Sequence, residues 1–237
     1  GAGLKVGLVE GRSFVGGNLT IGLPILGFLS QKGQPIIKGL PQRFIDRMRA
    51  RGAASEHRPC PLHVSITLIE PEAVKSVALD MLLECGVDLL GFPLRLPVHA
   101  PDTSEDQARA IIKALGPAVC VLITYEDDPD RLVDLCRFLN VDTVQLHAGV
   151  SPEILARIRA RLPLRIFKSY VVGRESVEPK RFAQDYAPVC DAFITDTFDA
   201  ATGASGATGL VHDWRVSAEL VRRSPRPVIL AGGLNPA

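Results

Sequence analysis

The sequence predicts an α/β fold on a parallel sheet, doubly wound or closed as a (β/α)8 TIM barrel with the barrel favoured, and three observations carry that expectation. From about residue 62 onward, short runs rich in Val, Ile and Leu alternate with amphipathic stretches. The runs are continuously apolar rather than strictly alternating, as strands covered on both faces are. The stretches between them run from eight to fourteen residues, enough for the crossover helices that join parallel strands.

The elements follow in order. Leu62–Leu68 reads as the first strand of the repeat, and Pro71–Glu84 as a helix with proline in its first turn and Cys85-Gly86 as its stop. Val87–Phe92 is the next strand. Ser104 opens a helix running to Leu115, because its hydroxyl can cap amides in the first turn. Strand 118–124, helix 129–139, strand 142–147 and helix 151–161 continue the pattern. Strand 164–172, helix 179–186 and strand 192–196 come next. A glycine-rich loop over 203–209, helix 216–223 and strand 227–231 complete it.

Counting from residue 62 gives seven strands, one short of a closed barrel. The first sixty-one residues supply a candidate for the eighth unit: a strand at Leu4–Val9 and an amphipathic helix at Pro41–Arg51, ended by Gly52. Residues 11–40 between them are rich in Gly and Pro and read as irregular, and 53–61 read as a linker. The chain is therefore divided into an N-terminal βα unit (1–61) and a barrel body (62–237). Two arrangements satisfy this: the N-terminal unit lies beside the last strand and closes the barrel, or it is an appendage.

Composition excludes several classes. Of 237 residues, 46% are hydrophobic and 22% charged, ordinary for a globular chain and unlike a disordered or collagenous one. Lys and Arg number 27 against 26 Asp and Glu, so nothing marks a nucleic-acid partner. The longest apolar run, Leu19–Leu29, is broken by Gly22, Pro24 and Gly27 and is too short to span a bilayer. The five cysteines lack the close spacing of a zinc clip, and free thiols in apolar surroundings suggest a cytoplasmic protein.

In a parallel barrel the working residues stand at the C-terminal ends of strands. Ser65, Thr67, Arg95, His99, Thr124, Glu126, Gln145, His147, Lys168, Asp196, Gly232, Gly233 and Asn235 pass that filter. The loop Gly203-Ala-Ser-Gly-Ala-Thr-Gly209 lets backbone amides turn toward an anion, the following helix adds its positive end, and Gly232-Gly233 lies on the adjacent strand. Gly206, Thr208, Gly209, Gly232 and Gly233 are the candidate phosphate ligands.

Val144-Gln145-Leu146-His147, Asp196-Thr197, Gly206-Ala-Thr-Gly209 with Asp213-Trp214, and Leu230-Ala-Gly-Gly-Leu-Asn-Pro236 together resemble the phosphoribosylanthranilate isomerases of tryptophan biosynthesis. Gly86–Phe92 and the Lys168 strand resemble that family too. The resemblance runs from about residue 62 to 237. It implies a ribose-phosphate ligand and an Amadori rearrangement without metal or organic cofactor, in a monomer or homodimer that binds neither membrane nor nucleic acid. Asp196 matches the family's general acid, and His147 and Lys168 fall in matched segments as substrate contacts. The family's base, a Cys on the first strand, has Ser65 at the matching stretch, with His63 as the other candidate there. The family's Ser-Pro-Arg segment is replaced by Arg95–His99. Two rival expectations remain: a barrel acting on a different phosphorylated compound, and a non-catalytic binding member. A faint echo of the family's last strand at Gly3–Glu10 suggests circular permutation, with Gly11, Ser13, Gly16 or Gly17 near the phosphate.

Overall fold

A computed structural model describes residues 7–9 (backbone only), 24–97, 103–115, 120–147, 149–206 and 208–234. The chain divides into two compact units, one made of Gly1–Val6 and Arg12–Asp88, the other of Gly7–Gly11 and Leu89–Ala237. In chain order the first strand, β1 (Gly7–Val9), belongs to the second unit's sheet.

The first unit holds β2 (Ile25–Leu26), α1 (Leu40–Ala50), β3 (Arg58–Cys60), β4 (Val64–Thr67) and α2 (Pro71–Glu84). Its strands form an antiparallel sheet in the order β2-β4-β3. Here the structure corrects the sequence reading. The 62–68 segment is not a barrel strand, and 53–61 is not merely a linker, because β3 and β4 form a hairpin in which Cys60 faces Val64. The short alternating run Val-Ser-Ile-Thr buries its polar residues, Ser65 and Thr67, and leaves Val64 exposed. Helices α1 and α2 meet through Met48, Val74 and Val77, and Arg47 and Arg51 pair with Glu84 and Asp80 at their surface.

Ser65 is held by this sheet, since its hydroxyl accepts the Leu29 amide at 3.0 Å. Ser65→Ala is expected to leave that buried donor unpaired and destabilise the first unit by about 1–3 kcal/mol. Thermal unfolding of the variant checks this, and an unchanged melting temperature contradicts it.

The second unit continues through β5 (Leu89–Leu94), α3 (Glu105–Leu115), β6 (Cys120–Thr124), α4 (Pro129–Leu139) and β7 (Thr143–Leu146). Then follow α5 (Pro152–Arg161), β8 (Arg165–Val172), α6 (Pro179–Tyr186), β9 (Ala192–Thr197), α7 (Trp214–Arg223) and β10 (Val228–Ile229). The seven strands are all parallel, in the order β1-β5-β6-β7-β8-β9-β10. From β5 onward each strand lies beside the one before it in sequence, without the reversal of a doubly wound sheet. This is the winding of a TIM barrel. Among the described residues β1 pairs with β5, and β1 and β10 stand at the two ends of the strand order. The helix expected to accompany it, α1, belongs to the first unit. Gly11, Ser13, Gly16 and Gly17 lie outside the described residues.

Local chemistry explains the helix ends. The Ser104 hydroxyl accepts the Gln107 amide while the Gln107 side chain accepts the Ser104 amide, a reciprocal cap. The Asp128 carboxylate takes the amides of Asp130 and Arg131, and Asn140, at φ 57°, ends α4. One face of the sheet packs Leu122, Val144, Leu146, Ile166 and Phe193 against the helices. The opposite face carries Val121, Ile123, Phe167 and Ala192.

Candidate active site

Successive residues of a strand point to opposite faces, so the face away from the helices continues upward to Tyr125 beyond β6, to Gln145 and His147 at the end of β7, and to Asp196 on β9. These side chains line a cavity of about 390 Å³ with Gly206, Thr208 and Gly209 on one loop and Gly232 and Gly233 on another. Pro93, Leu96 and Pro97 form its apolar side. The volume suits a small sugar phosphate.

Asp196 is nearly enclosed, at 7% exposure. Burial pushes its carboxyl up to about 6, against a smaller opposing pull from the Thr197 amide, which donates to Oδ1 at 2.9 Å. A carboxyl in that range carries a proton at mildly acidic pH and gives it up near neutrality, as a general acid requires. His147 is driven the other way: burial first, and the Lys168 charge second, lower its pKa to about 4, so it is neutral. Its ring stacks on Tyr125 at 4.9 Å, and its Nε2 lies 2.6 Å from the Gln145 amide nitrogen. The Tyr125 hydroxyl donates to the Ser205 carbonyl, tying the end of β6 to the glycine loop.

The two glycine loops converge. A methyl group at Gly233 would lie 2.6 Å from the Leu210 carbonyl oxygen, and one at Gly206 would lie 2.4 Å from Asp196 Oδ2 and 3.2 Å from His147 Cε1. Both glycines have positive φ, 64° and 89°. Asp199 shapes the first loop by accepting the Ala201 amide and the Thr202 hydroxyl. Among the described residues, the amides of Thr208, Gly209, Gly232 and Gly233 have no hydrogen-bond acceptor. That of Gly206 is committed to the Thr197 carbonyl at 2.9 Å. The N-terminus of α7 is likewise occupied, because Asp213 caps it through the Arg215 amide. The candidate anion cradle is therefore four backbone amides, without the helix end.

Two expected residues are not brought to this cavity. Ser65 sits in the first unit's antiparallel sheet. Lys168 is in register with Leu146 and Phe193 on the helix-packed face, fully buried with its Nζ 5.7 and 5.5 Å from the Phe182 and Tyr186 ring centres. Burial lowers its pKa, so the ammonium is a cost to the fold at neutral pH. Lys168→Met is expected to raise the melting temperature at pH 7, with a smaller gain as pH rises and the native amine, its pKa lowered by burial, sheds its proton. Melting curves at pH 7 and pH 10 check this, and a lower melting temperature at pH 7 contradicts it. Arg95 is also engaged elsewhere, with Glu105 and Glu126 at 2.8 and 2.9 Å. Tyr125 and His212 stand out in no sequence motif, and Thr197 does so only as the neighbour of Asp196. Their parts depend on contacts made across the fold.

A family model described as N-(5'phosphoribosyl)anthranilate (PRA) isomerase matches residues 84–237. The chain belongs to the phosphoribosylanthranilate isomerase family. N-(5'-phosphoribosyl)anthranilate isomerase 2 of Methanosarcina mazei is 35% identical over 156 residues, covering 64% of this chain and 68% of that protein. The isomerase of Halobacterium salinarum is 38% identical over 157 residues, with the same shares. Among solved structures, phosphoribosyl anthranilate isomerase from Thermus thermophilus aligns with TM-score 0.52 at 25% identity, covering 65% of this chain and 71% of that one. The Thermotoga maritima isomerase aligns with TM-score 0.51 at 26% identity, covering 66% and 72%. These phosphoribosylanthranilate isomerases are barrels, in agreement with the winding of the second unit.

A second model, FAD dependent oxidoreductase, matches residues 1–112 and overlaps the isomerase match over 84–112. Of its span, residues 1–6, 10–23 and 98–102 lie outside the described residues, and the described strands of the first unit are antiparallel.

No helix among the described residues is long and apolar enough to cross a membrane.

Proposed function

We propose that the second unit isomerises a ribose-phosphate amine of the phosphoribosylanthranilate type, with its phosphate on the amides of Thr208, Gly209, Gly232 and Gly233 and its sugar beneath Asp196. The observation that carries this reading is the protonatable, buried carboxyl of Asp196 in the same cavity as two glycine loops. Asp196 donates its proton to the ribose ring oxygen, the bond from that oxygen to C1' breaks, and the amine nitrogen's lone pair forms an iminium. Loss of the C2' proton then gives an enolamine, which becomes the ketose amine as C1' is protonated and the C2' hydroxyl loses its proton.

Among the described residues that line the cavity there is no cysteine. Burial pushes the Tyr125 phenol up to about 12, which leaves it protonated. Asp196, ionised once it has opened the ring, is the charged acceptor among the described lining side chains. The ring oxygen and C2' are both bonded to C1', so one carboxyl group can serve both. A single group with two successive roles predicts slow turnover. The five free thiols accord with a cytoplasmic enzyme, acting as monomer or homodimer.

The test is an isomerase assay with N-(5'-phosphoribosyl)anthranilate across pH. Ring opening needs protonated Asp196, so kcat/KM should fall as pH rises through about 6. Absence of turnover at every pH contradicts the proposal.

A further inference from the structure

The mechanism above does not use His212, and this is the residue through which the acid, both glycine loops and α7 are tied together. It is 9% exposed. Its Nδ1 lies 2.9 Å from Thr197 Oγ1, its Nε2 lies 2.6 Å from Ser217 Oγ on α7, and its ring packs on Trp214 at 4.5 Å. Thr197 is the node of this arrangement. Its amide donates to Asp196 Oδ1, and its carbonyl accepts the Gly206 amide. A methyl group at Gly232 would come within 2.4 Å of its hydroxyl and 3.0 Å of His212 Nδ1.

We propose that His212 is a positioning residue, a neutral imidazole clamped between Thr197 and Ser217 that sets the orientation of Asp196 and the spacing of the two glycine loops. This rests on Asp196 being the acid. A neutral imidazole has one donor and one acceptor nitrogen, and a hydroxyl can play either part, so both contacts are met in either tautomer. Among the described residues the ring hydrogen-bonds Thr197 and Ser217 and packs on Trp214, none of them charged. The nearest charge is that of Asp213, whose carboxylate is engaged by Arg215. Without the clamp the Thr197 hydroxyl loses its partner, Gly232 and the residue 212 loop are no longer held against β9, and water reaches the carboxyl. Burial is the larger influence on Asp196, so hydration returns its pKa toward the ordinary carboxylate range.

The test compares wild type with His212→Phe, which keeps a ring against Trp214 and removes both hydrogen bonds, and with Thr197→Val and Ser217→Ala, which remove one each. The first readout is the Asp196 carboxyl titration by ¹³C NMR. The second is affinity for ribose 5-phosphate. His212→Phe and Thr197→Val are expected to lower the Asp196 midpoint by about one pH unit and weaken ribose 5-phosphate several-fold, with Ser217→Ala intermediate. Folded variants with an unchanged Asp196 midpoint and unchanged affinity overturn the proposal. If His212→Phe does not fold, Thr197→Val decides by the same criteria. Neither readout depends on turnover, so an inactive wild type that shows the shift would refute the isomerase reading while leaving the positioning role standing.

Discussion

Asp196→Asn is expected to abolish isomerisation and, at the same time, to make the protein more stable at neutral pH. The native carboxyl is raised from 3.8 to about 6 by burial. Below about pH 4 the group is protonated in both folded and unfolded chains and contributes no difference. As pH rises from 4 to 6 the unfolded chain ionises first, so the unfolded state is favoured and stability falls. Above about 6 the full penalty is present, worth about 3 kcal/mol. Asn keeps the shape and cannot ionise, so it removes this slope and should recover about 1–3 kcal/mol at pH 8, with little change at pH 4. Denaturant unfolding at the two pH values checks the stability half, and the isomerase assay checks the other. A carboxyl retained at such a cost is one whose function requires it. An active Asp196→Asn protein, or one destabilised at pH 8, contradicts this account.

Gly233→Ala is the second large effect. The added methyl group would meet the backbone of residues 210–211: the Leu210 carbonyl oxygen at 2.6 Å, its carbon at 2.8 Å and Val211 Cα at 2.8 Å. Backbone cannot rotate aside as a side chain can, and φ at this position is positive, so the loops must part. Crowding and the left-handed conformation together cost about 2–4 kcal/mol. If the four amides share one phosphate, their separation should also weaken a phosphate ester at least tenfold, which is about 1.4 kcal/mol of binding. Gly206→Ala is the useful contrast, because its methyl group meets the movable Asp196 side chain and should disturb the acid more than the phosphate. Isothermal titration with ribose 5-phosphate separates the two variants. Equal affinity in Gly233→Ala and wild type would show that the loops do not hold a common ligand.

The parts of this fold that were legible in the sequence are those decided locally. Helices α2, α4 and α6 begin at prolines the sequence displays and end where expected, and the Ser104 cap was readable from short-range chemistry. The cavity residues on β7 and β9 were legible because their motifs are intact. Pairing was harder, because it depends on residues distant in the chain. Ser65 reads as part of a barrel strand, yet Val-Ser-Ile-Thr alternates polar and apolar residues, unlike the continuous apolar run of β6. That difference is the mark of a strand with unlike faces, and it was the available signal. Lys168 needed register: counted from Gln145 and His147, its side falls with Leu146 and Phe193 only once β7 and β8 are aligned. His212 belongs to no spacing pattern, and its role follows from contacts with Thr197 and Ser217 alone.

The most direct measurement is a ¹⁵N NMR titration of the protein with ribose 5-phosphate, following the backbone amides of Thr208, Gly209, Gly232 and Gly233. If a single phosphate is shared by both loops, all four signals move together with one midpoint. Movement confined to one loop, or two separate midpoints, would contradict it.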